Sequence, residues 1–347
     1  MIPHKRRDFL KLVGLAAAGL TGCAGGAAES WSRQEMDLIE ATAGANGGKS
    51  WAVWDGRRRV AASNAGERGP TLSITKSIAT LAASRAATDG WLNPSERVAD
   101  TLIEWRSDPL KSRITVGMLL QQVSGLEAGV ISLYRNQPRD KGRAAVALRC
   151  VDAPGTVFRY GPGHWETLAE VMRRKLSRNR ETLSEFMRRA VMNPIGLNAN
   201  HWRADLQGVP YFSTGTELDV GELGRLGFTI GRLLSGANSD GISAESFANM
   251  SRPSTVNPMF GGGLWRNSRA NQSDATAIEV ERVIDHPMLG AFWNRGCLSR
   301  RQPSSLVALI GSSGRRVYIW PDEKKCFARL AWSGGKWSDS AFLSRLG

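Results

Sequence analysis

The chain has 347 residues, of which 41% are hydrophobic and 22% charged, and these proportions exclude a disordered, collagen-like or low-complexity protein. Its formal net charge is +14. A charge of this size raises nucleic acid as a partner, but the N-terminal residues favour a different location.

Residues 1–22 are typical of an export signal, because basic Lys5, Arg6 and Arg7 precede an apolar stretch that is too short to span a bilayer. The arginine pair followed by Phe-Leu-Lys resembles a twin-arginine signal. Residues 20–23, Leu-Thr-Gly-Cys, resemble a lipobox in which Cys23 is lipidated. We therefore predict an exported protein on the periplasmic or cell-surface face, anchored to the membrane by a lipid on Cys23, with no nucleic-acid partner. The remaining positive charge forms either a solvated surface or an attraction to anionic lipid or polymer.

Three cysteines remain once Cys23 is assigned to the anchor: Cys150, Cys297 and Cys326. No pair of them has zinc-like spacing and no histidine clusters with them, so the sequence predicts neither a metal site nor a cofactor. An oxidising compartment allows one disulfide and one leftover thiol. The sequence leaves open which two cysteines would pair.

The predicted elements begin with a tether and a first helix, 31–43, within residues 23–48. Two strands, 50–54 and 58–62, flank Asp55-Gly56, and this turn predicts a hairpin because glycine tolerates a positive φ. A helix then begins near Ser73 and ends at Gly90.

The middle of the chain is predicted to be mostly helical. Residues 182–185 have the spacing of a capping box, and residues 216–219 repeat that start signal before a helix that ends near Gly236. Two strands, 315–320 and 326–332, close the chain. Because strands lie at both ends, we predict an α+β fold with one antiparallel sheet, flanking helices and an inserted helical lobe, in a single domain over residues 49–347.

Ser73-Ile74-Thr75-Lys76 is the sharpest chemical feature of the sequence. A helix that begins here places Ser73 and Lys76 one turn apart on the same face, within hydrogen-bond reach. A desolvated lysine can take the proton from a serine and make it a nucleophile. The same four residues alone also fit a helix N-cap with a surface lysine.

The wider sequence resembles the β-lactamase-related serine hydrolase family, which includes class C β-lactamases, penicillin-binding proteins and their esterase and amidase relatives. Four segments carry the resemblance in the family's order: 72–78, 89–126, 154–160 and 308–318. The resemblance implies acyl transfer, with Ser73 attacking a carbonyl while Lys76 and Tyr160 share the proton transfers. Arg159, next to Tyr160, is expected to add positive charge to the site.

The same resemblance places the oxyanion hole at the backbone N–H groups of Ser73 and of a residue near Ser312. Gly311, Ser312 and Ser313 belong to the segment that matches the family's third motif. We expect these three residues, with Ser73, to contact the substrate carbonyl.

Three departures from the family pattern bear on the substrate. Pro162 stands where many members have Asn, and Ile310 lies in a third motif that lacks the usual Lys or His. The deacylating glutamate of class A has no clear counterpart, and Glu166 is interpreted as a surface residue. We therefore expect an esterase- or amidase-like protein with weak or no β-lactamase activity.

Several remaining residues are candidates for the walls of the cleft, and most of them also fit a purely structural role. Pro162, His164 and Trp265 are cleft candidates, but His164 also fits a satisfied or solvent-facing histidine, and Trp265 also fits a core residue after a glycine turn, 261–263. Trp293 and Trp320 fit either cleft walls or core.

Two functions remain open from the sequence. The first is a serine hydrolase acting on a small or peptide-like ester or amide. The second is a non-catalytic envelope binding protein that retains the penicillin-binding fold without turnover.

Overall fold

The structure is a computed structural model that describes residues 31–285, 290–332 and 337–346. The predicted signal segment, with Arg6, Arg7 and Cys23, lies outside the described residues. None of the helices in the described ranges is both long enough and apolar enough to cross a bilayer.

Helices surround the sheet and form the inserted lobe. Their bounds are α1 Arg33–Ala43, α2 Thr75–Thr88, α3 Val116–Leu120, α4 Lys141–Val146, α5 Pro162–Ser177, α6 Leu183–Met187, α7 Asn193–Ile195, α8 Val220–Leu234, α9 Ala244–Met250, α10 Val280–Val283, α11 Gly290–Trp293 and α12 Asp339–Leu343. Short 3-10 turns and two π turns, Val130–Arg135 and Arg188–Met192, connect several of them.

The strands form one large sheet and two small pairs. Their bounds are β1 Gly48–Asp55, β2 Arg58–Ser63, β3 Gly69–Pro70, β4 Glu217–Leu218, β5 Phe260–Gly261, β6 Leu264–Arg266, β7 Thr276–Ala277, β8 Gly296–Cys297, β9 Val307–Gly311, β10 Arg315–Trp320 and β11 Lys325–Ala331. The large sheet has the order β2-β1-β11-β10-β9-β6-β5, with antiparallel neighbours throughout. This arrangement confirms the predicted α+β fold, although the sequence analysis assigns no strand to β5, β6 or β9.

Helix α8 packs closely against the sheet because glycines face it. A Cβ added at Gly224 would lie 2.2 Å from the Trp54 ring, and one added at Gly227 would lie 2.5 Å from Cys326 Sγ. Every residue of β10 is buried, so both faces of the sheet are covered there. The neighbouring strand β9 is continuously apolar, whereas β10 and β11 also contain the buried arginines Arg315, Arg316 and Arg329.

Two helix start signals are predicted from the sequence, at residues 182–185 and 216–219. The capping box at Thr182 is present before α6, with Glu185 as its partner. The helix predicted after 216–219 is confirmed as α8, but Thr216 is not its cap, because the N-cap is Asp219 and the capping partner is Glu222. Thr216 instead bonds to the turn before α2, as described below.

The three cysteines in the described part of the chain are unpaired thiols. Cys297 and Cys326 are buried, and Cys150 is half-buried. The structure therefore contains no disulfide among them.

Candidate active site

Ser73 lies in a tight 3-10 turn, Leu72–Ile74, that leads into α2. Leu72 has a φ of 50°, in the left-handed region that non-glycine residues rarely occupy. Such backbone strain costs about 1–3 kcal/mol and concentrates at functional turns. The turn brings the Ser73 hydroxyl to the opening of a cleft.

Three threonine hydroxyls hold this turn in place. Thr71 Oγ1 lies 2.5 Å from Thr216 Oγ1, and Thr75 Oγ1 lies 2.8 Å from the same atom. Thr216 is beside β4, which pairs with β3 just before the turn. These buried hydroxyls hold the start of α2 against the segment that leads into β4.

Lys76 contacts Ser73 directly, at 2.9 Å between Nζ and the serine Oγ. Its amine also donates to the Ser213 carbonyl at 2.9 Å. Lys76 is 1% exposed. Burial lowers the pKa of Lys76 to about 7, although the negative charge of Glu166 opposes the shift. Near neutral pH a large share of Lys76 is therefore the neutral amine that can accept a proton.

Tyr160 lies beside Lys76, with its ring centroid 4.9 Å from the lysine Nζ. Burial raises the pKa of Tyr160 well above its usual range, while a hydrogen bond with Ser73 lowers it. The phenol consequently keeps its proton at neutral pH. Its place beside Ser73 suits a proton donor better than a base.

Glu166 lies in α5 and is buried, so the interpretation of Glu166 as a surface residue is wrong. Its carboxylate accepts hydrogen bonds from the Ser213 hydroxyl and, at 3.1 Å, from the Ser213 N–H. Burial raises the pKa of Glu166. Ser213 thus connects two groups, because its side chain and N–H bind Glu166 while its carbonyl holds Lys76.

His164 and Arg159 hold the segment before Tyr160. His164 is buried, its Nδ1 lies 2.8 Å from the Ser124 hydroxyl and its Nε2 donates to the Arg159 carbonyl at 2.7 Å. Burial lowers the pKa of His164 to about 4. The reading of His164 as a cleft residue is therefore wrong, and the satisfied histidine is correct. The Arg159 guanidinium pairs with Asp152 at 2.7 Å and not with the catalytic candidates, contrary to expectation.

The loop after β9 provides the carbonyl-binding candidates. In the described residues the Ser312 N–H donates to no other residue, whereas the Ser313 N–H donates to Glu281 at 2.7 Å. Ser73 lies in the first turn of its helix, where N–H groups lack an intrahelical acceptor. The N–H groups of Ser73 and Ser312 are therefore the available oxyanion donors. Gly311 is the last residue of β9, its carbonyl accepts from Arg316, and it does not line the cleft, so the prediction that Gly311 contacts the substrate is wrong.

A network of buried charges anchors this loop. Glu281 of α10 accepts from Ser313 and Gly314 and pairs with Arg316 at 2.5 Å. Arg316 is 1% exposed and also pairs with Asp339 of α12 at 2.6 Å. Side chains of α10 and α12 therefore hold the loop in position.

The cleft itself has a volume of about 740 Å³. Ser73, Tyr160, Pro162, Ser312 and Ser313 are among its lining residues, as predicted from the sequence. The lining residues that the sequence analysis does not assign include Tyr134, Gln137, Lys141, Arg203, Tyr211, Glu217, Glu281, Arg282 and Asp285.

The tryptophan candidates lie in the core. Trp265 is 1% exposed and packs against Phe260 with ring centroids 4.8 Å apart, so the prediction of Trp265 in the cleft is wrong. Trp293 and Trp320 are also buried. The glycines before Trp265 have a different use, because a Cβ at Gly263 would lie 2.7 Å from the Lys76 carbonyl carbon.

Ser213 and Lys141 are the main residues that sequence reasoning missed. Neither residue belongs to a recognisable motif, and both lie far from Ser73 in the chain. The one sequence signal that could have pointed to Glu166 is its place among apolar neighbours on the helix after Tyr160, where a charged residue needs a partner. The described residues contain no cluster of His, Cys, Asp and Glu that could bind a metal ion.

A serine and a lysine one turn apart at the start of a helix, with a tyrosine beside them and an antiparallel sheet behind, define the penicillin-binding class of folds. The chain belongs to the beta-lactamase family: the family model named Beta-lactamase matches residues 34–278. The comparison with curated proteins gave no match.

Solved structures share the fold at low sequence identity. A putative beta-lactamase from Bacteroides dorei DSM 17855 is 14% identical with a TM-score of 0.64, and the match covers 89% of this chain and 94% of that one. A penicillin-binding protein homolog from Caulobacter crescentus is 15% identical with a TM-score of 0.61, covering 90% and 95%. A family VIII carboxylesterase is also 15% identical, with a TM-score of 0.59 and coverage of 90% and 95%.

Proposed function

We propose that this chain is an exported serine hydrolase that cleaves an ester or amide through an acyl-enzyme. Membership of the beta-lactamase family supports hydrolase chemistry. The observation that carries the proposal is the contact of Ser73 Oγ with a buried lysine whose pKa is about 7. Such a lysine is neutral often enough at physiological pH to act as a general base.

The contacts of Ser73 with Lys76 support the following acylation step. Lys76 Nζ takes the proton of the Ser73 hydroxyl, and the serine oxygen attacks the substrate carbonyl carbon. The N–H groups of Ser73 and Ser312 stabilise the oxyanion. Collapse of the tetrahedral intermediate breaks the bond to the leaving group, which takes a proton from the Tyr160 hydroxyl, and the Lys76 ammonium returns a proton to that tyrosine.

Deacylation repeats these steps with water. The water gives a proton to the Lys76 and Tyr160 pair as it attacks the acyl carbon, and Ser73 leaves with a proton from the same pair. Glu166 lies behind Ser213 and does not line the cleft, so this scheme assigns it no contact with the water.

β-Lactam hydrolysis is proposed to be weak or absent. Leu309 stands where the family's third motif has Lys or His, and the next residue, Ile310, lines the cleft. Pro162 lines the cleft where many relatives have Asn. None of these three side chains can hydrogen-bond a lactam substrate. The chain should therefore hydrolyse 4-nitrophenyl butyrate at a far higher rate than a chromogenic cephalosporin.

A fluorophosphonate probe tests the proposal most directly. Labelling of the purified protein that is lost in Ser73→Ala supports the serine nucleophile. Lys76→Ala and Tyr160→Phe should each reduce turnover of 4-nitrophenyl butyrate about 1000-fold, and the double variant should lose little more because the residues act as a unit. Absence of both labelling and turnover favours the alternative of a non-catalytic binding protein.

Export and lipid anchoring are proposed from the sequence motifs alone. Replacing Arg6 and Arg7 by Lys should keep the precursor in the cytoplasm, and Cys23→Ser should release the exported protein from membranes. Fractionation of cells checks both results. A Cys23→Ser protein that remains on membranes after a high-salt wash would contradict lipidation.

A further inference from the structure

Two cations line the cleft around one aromatic ring. Lys141 Nζ lies 3.4 Å from the centroid of the Tyr211 ring, and Arg203 Cζ lies 5.7 Å from the same centroid. Lys141, Arg203 and Tyr211 all line the cleft that contains Ser73. The mechanism proposed above uses none of the three.

Neither cation has a carboxylate partner within the described residues. The acidic groups whose charges reach Lys141 are Glu166 and Asp205. Asp205 already accepts backbone hydrogen bonds, from Lys141 at 3.0 Å and from Val209 at 3.0 Å. Glu166 accepts from Ser213 and Phe212. These carboxylates are therefore occupied by other donors.

The burial of Lys141 makes the missing partner significant. Lys141 is 3% exposed, so its side chain has lost most of its contact with bulk water. Lys141 Nζ also lies 5.7 Å from the centroid of the Tyr134 ring. A buried ammonium without a carboxylate partner is costly, and the two aromatic rings offset only part of that cost. An anionic group that enters the cleft would supply the partner, and the nearby guanidinium of Arg203 would strengthen its binding.

We propose that Lys141 and Arg203 form an anion subsite and that the substrate is an ester or amide that carries a carboxylate away from the bond to be cleaved. This inference rests on the proposed hydrolase function. The alternative is that Lys141 only packs against Tyr211 and has no role in substrate choice.

Matched ester pairs test the subsite in the unmodified protein. The first pair carries the carboxylate on the acyl group: the mono-4-nitrophenyl ester of glutaric acid is compared with its neutral methyl ester. The second pair carries the carboxylate on the leaving group: 4-carboxyphenyl butyrate is compared with the neutral 4-carbamoylphenyl butyrate. On at least one side kcat/KM should favour the acid by about tenfold, the factor expected for one charge-assisted hydrogen bond. That preference should shrink as salt is added.

The outcomes separate the two proposals. Hydrolysis that depends on Ser73 but shows no preference for the acid on either side overturns the subsite and leaves the hydrolase intact. No hydrolysis of any ester that depends on Ser73 overturns both.

Variants locate the preference. Lys141→Met keeps the stem that packs on Tyr211 and removes the charge, so the ratio of acid to neutral ester should fall close to one. Arg203 is exposed, so Arg203→Gln tests the subsite with little risk to folding, and it should lower the ratio in part. Arg143→Gln removes an exposed charge from the same helix outside the cleft and should leave the ratio unchanged. An unchanged ratio in both Lys141→Met and Arg203→Gln, or an equal fall in Arg143→Gln, overturns the inference.

Discussion

Replacing Lys76 by Met is expected to stabilise the fold at low pH and to lose that advantage as the pH rises. Burial lowers the pKa of Lys76 from 10.5 to about 7. The unfolded chain therefore keeps this proton up to high pH, whereas the folded chain releases it near pH 7. Between these values the unfolded state binds more protons, so the wild-type free energy of unfolding rises with pH in this window.

The size of the effect follows from the shift. At 1.36 kcal/mol per pH unit, burying the charged form costs about 5 kcal/mol of stability below pH 7. Met removes this cost, but the Ser213 carbonyl then loses its donor, which costs about 1–3 kcal/mol. Lys76→Met should thus be more stable than wild type by about 2–4 kcal/mol at pH 6, and less stable by about 1–3 kcal/mol near pH 10.5.

Urea unfolding followed by tryptophan fluorescence measures both proteins across this range of pH. Lys49→Met is the matched control, because it makes the same substitution at an exposed lysine. A difference between wild type and Lys76→Met that does not change with pH would refute the claim that the lysine is a desolvated base.

Three further predictions concern the residues that support the site. The kcat/KM for 4-nitrophenyl butyrate should rise with pH through a midpoint near 7. Glu166→Gln should lower the pH of that midpoint, because the Glu166 carboxylate raises the pKa of Lys76. A pH-rate profile in which Glu166→Gln has the wild-type midpoint contradicts this prediction. Gly263→Ala should destabilise the fold by about 1–3 kcal/mol in urea titrations, since its φ is 73° and its Cβ would clash with α2, whereas Gly66→Ala has open space and should be nearly neutral. Asp339→Asn should cost about 3–5 kcal/mol because it leaves a buried arginine without its full partner, and an unchanged melting temperature would show that the pair is dispensable.

The sequence predicts those parts of the fold that depend on neighbours in the chain. The hairpin of β1 and β2 needs only Asp55-Gly56 between two apolar runs, and the start of α6 needs only a capping box at Thr182. The motif at Ser73 has the same local character, because helical geometry alone brings Lys76 within reach. The false start at Thr216 shows the limit of this reasoning, since a threonine hydroxyl serves a tertiary contact as readily as a helix cap.

The remaining site depends on contacts between distant segments. Glu166 has the spacing of an ordinary helix residue, and only the packing of α5 against the segment at Ser213 buries it. Lys141 enters the cleft because α4 packs on α5, which no local pattern encodes. The burial of Trp265 follows from the turn of β5 into β6.

The pairing of Arg316 with Asp339 and Glu281 bears on the order in which the molecule is assembled. Ser73 precedes Asp339 in the chain, so α2 is synthesised before the aspartate that helps to anchor the loop at Ser312. A nascent chain that has already folded α2 therefore still lacks a fixed loop at Ser312. The proposed hydrolysis should appear only once α12 has docked, so ester turnover would report the docking of α12 during synthesis and refolding.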